Sequence, residues 1–247
     1  MEPSEYRVMY RAEDDYWWYR GMAAISRAAL RRWLPSQTNL RILDAGCGTG
    51  AAMQTFLSEF GCVIGLDLSF LALGFCRLRK ARFLTCASVG DLPFASQSFD
   101  LVISFDVLYA QSVPDVLTAL KEFARVLVPG GYLLLRLPAY DWLRGRHDAA
   151  VHTARRFTVK GITGLLQCAG FTVRHRSYAN TLLFPFALVK RLAEHVRPAR
   201  ATDSDLVIRL GPLDWIFGTL LSLEAPLVAR PGLPFGLSVL AVAQRSS

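Results

Sequence analysis

The chain has 247 residues, 52% of them hydrophobic and 19% charged, which provides for one sizeable core and excludes a globally disordered protein. The formal net charge of +8 fits an anionic partner such as nucleic acid, a phosphorylated substrate or an acidic membrane surface, and composition alone does not choose among them. The five cysteines, at 47, 62, 76, 86 and 168, form no Cys-x-x-Cys pair, which argues against a disulfide framework or a zinc site and for a reducing, cytoplasmic setting.

The first residues are charged and aromatic and lack the apolar run of a secretory signal. From Tyr16 to Leu34 the spacing of Trp18, Met22, Ile25, Ala29 and Trp33 predicts a helix with a basic opposite face of Arg27, Arg31 and Arg32, ended by Pro35. Leu40 to Leu43 reads as a short strand running into glycines, and Ala51 to Phe60 as a helix closed by Gly61. The unit repeats with a strand over Cys62 to Leu66, a helix over Leu68 to Lys80 and a strand over Arg82 to Cys86. Phe99 to Phe105, FDLVISF, is a continuous apolar strand of the kind buried on both faces of a parallel sheet. Pro114 to Leu127 predicts a helix, broken by Pro129-Gly130-Gly131 ahead of a strand over Tyr132 to Leu137. A helix over Val159 to Ala169, a strand over Phe171 to Ser177 and a last strand over Leu237 to Ala243 complete the set. Alternating strands and helices require a doubly wound, mostly parallel α/β sheet. The nearest approach to a membrane span, Leu210 to Ala229, carries Asp214, Glu224 and two prolines and reads as a buried or interfacial helical region.

Glycines at 46, 48 and 50 let the chain turn sharply after the first strand and approach a ligand, while the next helix offers its free N–H groups. Gly46-x-Gly48-x-x-Ala51 also satisfies the dinucleotide fingerprint, with Asp67 placed to hold a ribose, so a nicotinamide cofactor stays open at this point. Asp44, two residues before Gly46, sets a carboxylate where a pyrophosphate would be repelled and a sulfonium-bearing amino acid could be held. Beyond one seven-stranded sheet little chain is left for a nicotinamide domain.

LDAGCGTG, GLDLS, LPF-x₄-FDLVIS and RVLVPGGYLLL together resemble the class I S-adenosylmethionine-dependent methyltransferases of the type 11-like, small-molecule branch, over residues 40 to 137. The resemblance implies a Rossmann-like, seven-stranded sheet with an antiparallel last strand, helices on both faces, and S-adenosyl-L-methionine as cofactor. It implies that Asp44, Gly46, Cys47, Gly48 and Gly50 wrap the methionine and ribose portions, and that Asp67, beside Leu68, accepts the ribose hydroxyls. Ser88 and Val89 would read adenine, with Asp91 as a weaker candidate; relatives often carry an acid where Ser88 stands. Phe105 and Trp18 would border the cofactor, since adjacent Trp17 and Trp18 cannot both point into the core and one is free to close over the site.

Ligands of open α/β sheets bind beyond the carboxyl ends of the strands, which directs attention to residues 105–109 and 138–158. His147 and His152, with Tyr109, are the candidate catalytic groups, because transfer to a hydroxyl or an acidic carbon needs a proton acceptor near neutrality. Both histidines read equally well as loop residues organised by Asp148. Tyr140, Arg155 and Arg156 are the candidate substrate ligands, the arginines suiting a phosphate or carboxylate or else a solvated turn, and no metal is expected. The insertion from Asn180 to Pro234 joins apolar residues around Leu182–Val189 to basic Lys190, Arg191, His195, Arg197 and Arg200, then a second apolar cluster over Leu213–Leu223. It suits a lipid-like substrate, an anionic membrane surface, a homodimer face or an ordinary cap.

The expected division is an N-terminal helical lid (1–36), a cofactor-binding core (37–179), the helical insertion (180–234) and the last core strand (235–247). The expected activity is methyl transfer to an O or C acceptor on a small, amphiphilic or lipid-linked molecule, in the cytoplasm or peripherally at the membrane's inner face. The rivals are a nicotinamide oxidoreductase, a cofactor-holding module without turnover, and a nucleic-acid methyltransferase. Against the last, the fourth strand ends in SFDVLY rather than an Asn/Asp-Pro-Pro-Tyr/Phe motif, so no nucleic-acid partner is expected.

Overall fold

The computed structural model describes residues 2–35, 39–145, 148, 152–189 and 213–246. Its strands are β1 (Leu40–Ala45), β2 (Gly61–Asp67), β3 (Leu84–Cys86), β4 (Phe99–Phe105), β5 (Leu127–Pro138), β6 (Phe171–Ala179) and β7 (Ser238–Arg245). They form one seven-stranded sheet in the order β3-β2-β1-β4-β5-β7-β6. The pairs along β3-β2-β1-β4-β5 are parallel, and β7 runs antiparallel to both β5 and β6. This is the expected Rossmann-like sheet with its last strand reversed.

Side-chain alternation along the strands builds a core on each face. Val102, Leu133, Leu135, Val239 and Ala241 pack with Leu120 and Phe123 of α5 (Val116–Val126) and with Ile162 and Leu166 of α6 (Val159–Cys168). Leu101, Ile103, Leu134, Leu240 and Val242 pack on the other side with Met22 and Ile25 of α2 (Trp17–Trp33) and with Val228 of α8 (Ala225–Ala229). Further helices are α1 (Pro3–Ala12), α3 (Ala51–Thr55), α4 (Phe70–Leu78) and α7 (Leu213–Leu223), and residues 184–189 are helical as well.

Two local readings need correction, and one is qualified by its pairing. The helix expected over Ala51–Phe60 stops at Thr55, because Phe56 leaves helical backbone (φ −150°) and is almost fully buried, and a short 3₁₀ turn over Leu57–Glu59 follows. Pro129-Gly130-Gly131 lies inside β5 rather than ahead of it, at a register shift opposite Phe99–Leu101, with the Gly130 carbonyl accepting from Gln244 Nε2 at 2.7 Å. The basic face of α2 is partly neutralised, since Arg27 and Arg31 both pair with Glu59, at 2.8 and 3.0 Å.

The described part of the insertion turns back onto the N-terminal helix. Gly21 of α2 lets α7 approach closely: a Cβ there would stand 2.6 Å from Leu221. Trp33 Nε1 donates to the Ala229 carbonyl at 3.1 Å. Among the described residues no helix is long and apolar enough to cross a membrane. Lys190, Arg191, His195, Arg197 and Arg200 lie outside the described residues.

Candidate active site

A cavity of about 1310 Å³ opens at the carboxyl ends of β1, β2, β4 and β5, covered by α1 and the start of α2. Gly46, Gly48 and Gly50 all adopt positive φ, the left-handed backbone that lets the loop after β1 fold over the strand ends. Gly46, Cys47 and Gly48 line the cavity; Gly50 does not, and instead precedes α3, where a Cβ would stand 3.0 Å from Cys76 Sγ. Asp67 ties the two loops together, accepting from Gly48 N at 3.0 Å and from Ser69 N at 2.9 Å. Leu68, Ser88 and Val89 border the same space, the Ser88 hydroxyl oxygen accepting from Gly90 N at 3.1 Å.

The floor of the cavity is acidic. Asp44 is 2% exposed and its Oδ2 has no partner among the described residues. Burial, reinforced by the Asp67 and Glu13 charges, pushes its carboxyl up to about 7. Glu13, just past α1, is pushed up to about 7 as well, chiefly by burial, although it accepts from the Thr49 hydroxyl and lies 3.4 Å from Arg79. Asp67 is also raised by burial, opposed by the backbone N–H groups it accepts. Glu13 carried no signal in the sequence beyond belonging to the acidic run Glu13-Asp14-Asp15, and it directly follows helix α1, whose Tyr6 and Met9 also line the cavity.

A second polar group stands at the ends of β4 and β5. Arg136 donates from Nε to Asp106 Oδ2 at 2.8 Å, and its guanidinium lies 4.6 Å from the Phe105 ring centroid and 5.3 Å from that of Trp18. Tyr109 and Tyr19 complete this wall; burial raises both phenols above the ordinary tyrosine value, so both keep their protons. Trp17 borders the cavity too, packed on Phe217 at 5.6 Å, so both tryptophans face its margin, whereas the sequence had suggested one. Asp106 lay within the stretch 105–109 to which the sequence pointed but was given no role there, and Arg136 was not a sequence candidate; the lone cation in the apolar strand YLLLRLP was the signal for the pair.

The candidates from residues 138–158 separate. Arg156 lines the cavity, held by Asp148 at 3.0 and 2.9 Å. Arg155 is half-buried and donates to the Pro114 carbonyl at 3.2 Å, and it does not reach the cavity wall. Tyr140 stacks between Tyr178 and Trp142, at 5.1 and 5.6 Å, away from the lining. His152 is directed outward, its Nε2 3.1 Å from Glu2 Oε1, and does not line the cavity. His147 lies outside the described residues.

Residues 43–135 match the family model described as a methyltransferase domain. The chain is 30% identical over 166 residues to a Mycolicibacterium smegmatis protein described as a probable S-adenosylmethionine-dependent methyltransferase, covering 66% of this chain and 62% of that one. It is 36% identical over 120 residues to a fatty-acid O-methyltransferase of the same organism, covering 44% of this chain and 43% of that one. The chain thus spans less than two thirds of the length of these relatives. Its fold is that of a chain in the complex between the Haloferax volcanii Trm112 methyltransferase activator and a methyltransferase, with a TM-score of 0.63 at 21% identity, covering 99% of this chain and 94% of that one.

Proposed function

We propose that this chain, which carries a class I S-adenosylmethionine-dependent methyltransferase domain, moves a methyl group to an oxygen or carbon acceptor on a small amphiphilic or lipid-linked molecule. The cofactor of the domain is S-adenosyl-L-methionine, and the residues present suit it. Asp44 and Glu13 are carboxyls held up to about 7 at the cavity floor, and a cationic ligand relieves both. Gly46 leaves room that a side chain would fill, since a Cβ there would stand 2.2 Å from Val107 Cγ2. Asp67 accepts from the backbone N–H groups of Gly48 and Ser69 on different oxygens and retains acceptor capacity for a ribose hydroxyl. When bound, the cofactor supplies a methyl on a positively charged sulfur, open to in-line displacement.

The chain's own residues align the acceptor and take its proton. Where the acceptor is a hydroxyl or an acidic carbon, Asp106 takes its proton, in place of the outward-facing His152, and Arg136 fixes the Asp106 carboxylate; a carboxylate acceptor arrives without that proton and needs alignment alone. Trp18 and Phe105 hold the guanidinium between rings, and Tyr109 and Tyr19 offer protonated hydroxyls that orient an acceptor oxygen. The observation that carries the reading is the continuity of the cavity from Asp44 and Asp67 to the apolar wall of Leu183, Phe186 and Phe217. Similarity to a fatty-acid O-methyltransferase supports an amphiphilic acceptor.

Calorimetry with S-adenosylhomocysteine and NAD, followed by methyl transfer to myristate, butyrate and extracted membrane lipids, tests this. S-adenosylhomocysteine should bind, NAD should not, and long-chain acceptors should outpace butyrate. Binding of NAD, or transfer to tRNA instead of lipids, would count against the assignment. Trp215 and Ile216 of α7, and Phe186, are exposed and suit seating at an anionic bilayer. Co-flotation with phosphatidylglycerol vesicles is the expected result; a homodimer in sedimentation without flotation would assign that face to a second copy instead.

A further inference from the structure

We propose that Asn180 is a specificity residue for the acceptor molecule, its side-chain carbonyl receiving a hydrogen bond from a hydroxyl or N–H group remote from the reacting atom. The inference rests on the reading of the cavity given above. Asn180 directly follows β6, whose last residue Ala179 pairs with Ser238 of β7, and it borders the same cavity as the cofactor loop. The sheet order places β6 three strands beyond β4. At the usual spacing of paired strands that is roughly 14 Å across the sheet. The glycine loop and Asp67 stand at the ends of β1 and β2, on the opposite side of β4, so Asn180 faces the far end of whatever is methylated.

The side chain is bare where it should not be. Asn180 is 3% exposed, and its Oδ1 has no partner among the described residues. A buried amide oxygen left without a donor is destabilising, and such atoms in native proteins call for an explanation. The backbone on either side of it is held in place. Asn180 itself is left-handed (φ 63°), a conformation asparagine tolerates better than most residues. Glu224, 1% exposed, accepts from Thr181 N at 3.0 Å and from Leu182 N at 2.5 Å, and the Thr181 hydroxyl donates to the Phe235 carbonyl. The segment returning from α7 to β7 therefore clamps residues 180–182 and presents Asn180 in place.

The neighbouring cavity wall, Leu183, Phe186 and Phe217, is apolar. A hydrogen-bond acceptor set before an apolar groove selects a molecule with a donor group next to an aliphatic or aromatic portion. An ether or ester oxygen at that point would meet the amide oxygen with no proton between them. Hydrogen-bonding sites discriminate strongly against analogues that lack the matching group, because the protein atom is then left unpaired.

The test is calorimetry on protein saturated with S-adenosylhomocysteine, titrated with 1-octanol and with its isomeric ether 1-methoxyheptane. Wild type should prefer the alcohol by about tenfold, equivalent to about 1.4 kcal/mol. Asn180→Gly, which accepts the left-handed backbone, should bring the two affinities to about the same value while S-adenosylhomocysteine affinity is unchanged. Asn180→Asp, which keeps an oxygen acceptor, should retain the preference for the alcohol. Equal binding of the two probes by wild type, binding of neither, or a full preference retained by Asn180→Gly would overturn the proposal. Failure of wild type to bind S-adenosylhomocysteine would instead strike the cofactor reading on which it rests.

Discussion

Binding of the cofactor should expel protons from the cavity floor. Asp44 is fully enclosed, with a carboxyl pushed up to about 7 by burial and by the Asp67 and Glu13 charges. An ammonium or sulfonium placed beside it lowers a carboxyl by about 1–3 units, so a bound value of about 5 is a central expectation. With those two values about three quarters of the free protein carries the Asp44 proton at pH 6.5 and almost none of the complex does, a release of about 0.7 proton per cofactor bound. The same values make binding about ninefold tighter at pH 8 than at pH 6, or about 1.3 kcal/mol. Glu13, also raised to about 7 and also lining the cavity, adds to the release, so the Asp44 share is read by difference.

The assay is calorimetry of S-adenosylmethionine binding in phosphate and in Tris, whose different ionisation heats report the protons exchanged, for wild type and Asp44→Asn. The variant should release about 0.7 proton less and lose much of the pH dependence of its affinity. Equal proton release by the two proteins, or tighter binding by wild type at pH 6 than at pH 8, would refute the reasoning. The free protein follows the same sign. A carboxyl whose value is raised by folding leaves the folded state holding more protons than the unfolded one, so its contribution is present at low pH and is lost as pH rises through about 7. Thermal melts of ligand-free Asp44→Asn should therefore decline less between pH 5 and pH 8 than those of wild type.

Five other substitutions divide the site from the scaffold. Asp67→Ala and Gly48→Val should abolish measurable S-adenosylhomocysteine binding, the first by removing the acceptor that ties the two loops, the second by forcing a Cβ at φ +55° to within 3.0 Å of Met9 Cε; unchanged affinity in both would remove the site from this loop. Asp106→Asn should lower kcat by about a hundredfold or more while leaving S-adenosylhomocysteine affinity near wild type, whereas His152→Ala should stay within about twofold of wild type; the reverse ranking would return the proton-acceptor role to the histidine. Gly21→Val should drive a side chain into Leu221 of α7 and cost about 1–3 kcal/mol, seen as a Tm lower by several degrees; an unchanged Tm would show that α7 does not pack as closely on α2 as its contacts require.

The sheet was legible because its signals are local and periodic. Continuous apolar strands, glycines after β1 and the amphipathic spacing of α2 and α5 each depend on neighbours in sequence. The acceptor side was harder, since the direction of a side chain in an irregular loop has no period. His152 shares a short, chemistry-rich insertion with Arg156, yet Arg156 turns inward to Asp148 while His152 turns outward to Glu2. Helix α1 falls within the helical lid expected over 1–36, but its bounds were not read, although Tyr6, Met9 and Tyr10 stand at helical spacing; Tyr10 stacks on Phe75 of α4 at 4.8 Å while Tyr6 and Met9 line the cavity.

Arg136 shows where the sequence held more than periodicity extracts from it. A guanidinium in the run YLLLRLP must be paired if the strand is buried, because an uncompensated buried charge costs several kcal/mol. The parallel register sets Arg136 beside Phe105, and the next residue, Asp106, supplies the carboxylate. Asp44 lies opposite Ile103 on the adjoining strand β1, three positions before Asp106 along β4. The sheet changes direction of winding between β1 and β4, the point at which ligands of doubly wound sheets bind. One lone arginine, a parallel register and a strand order therefore bring Asp44 and Asp106, the acids proposed here for the cofactor's positive charge and the acceptor's proton, to the two sides of a single crevice.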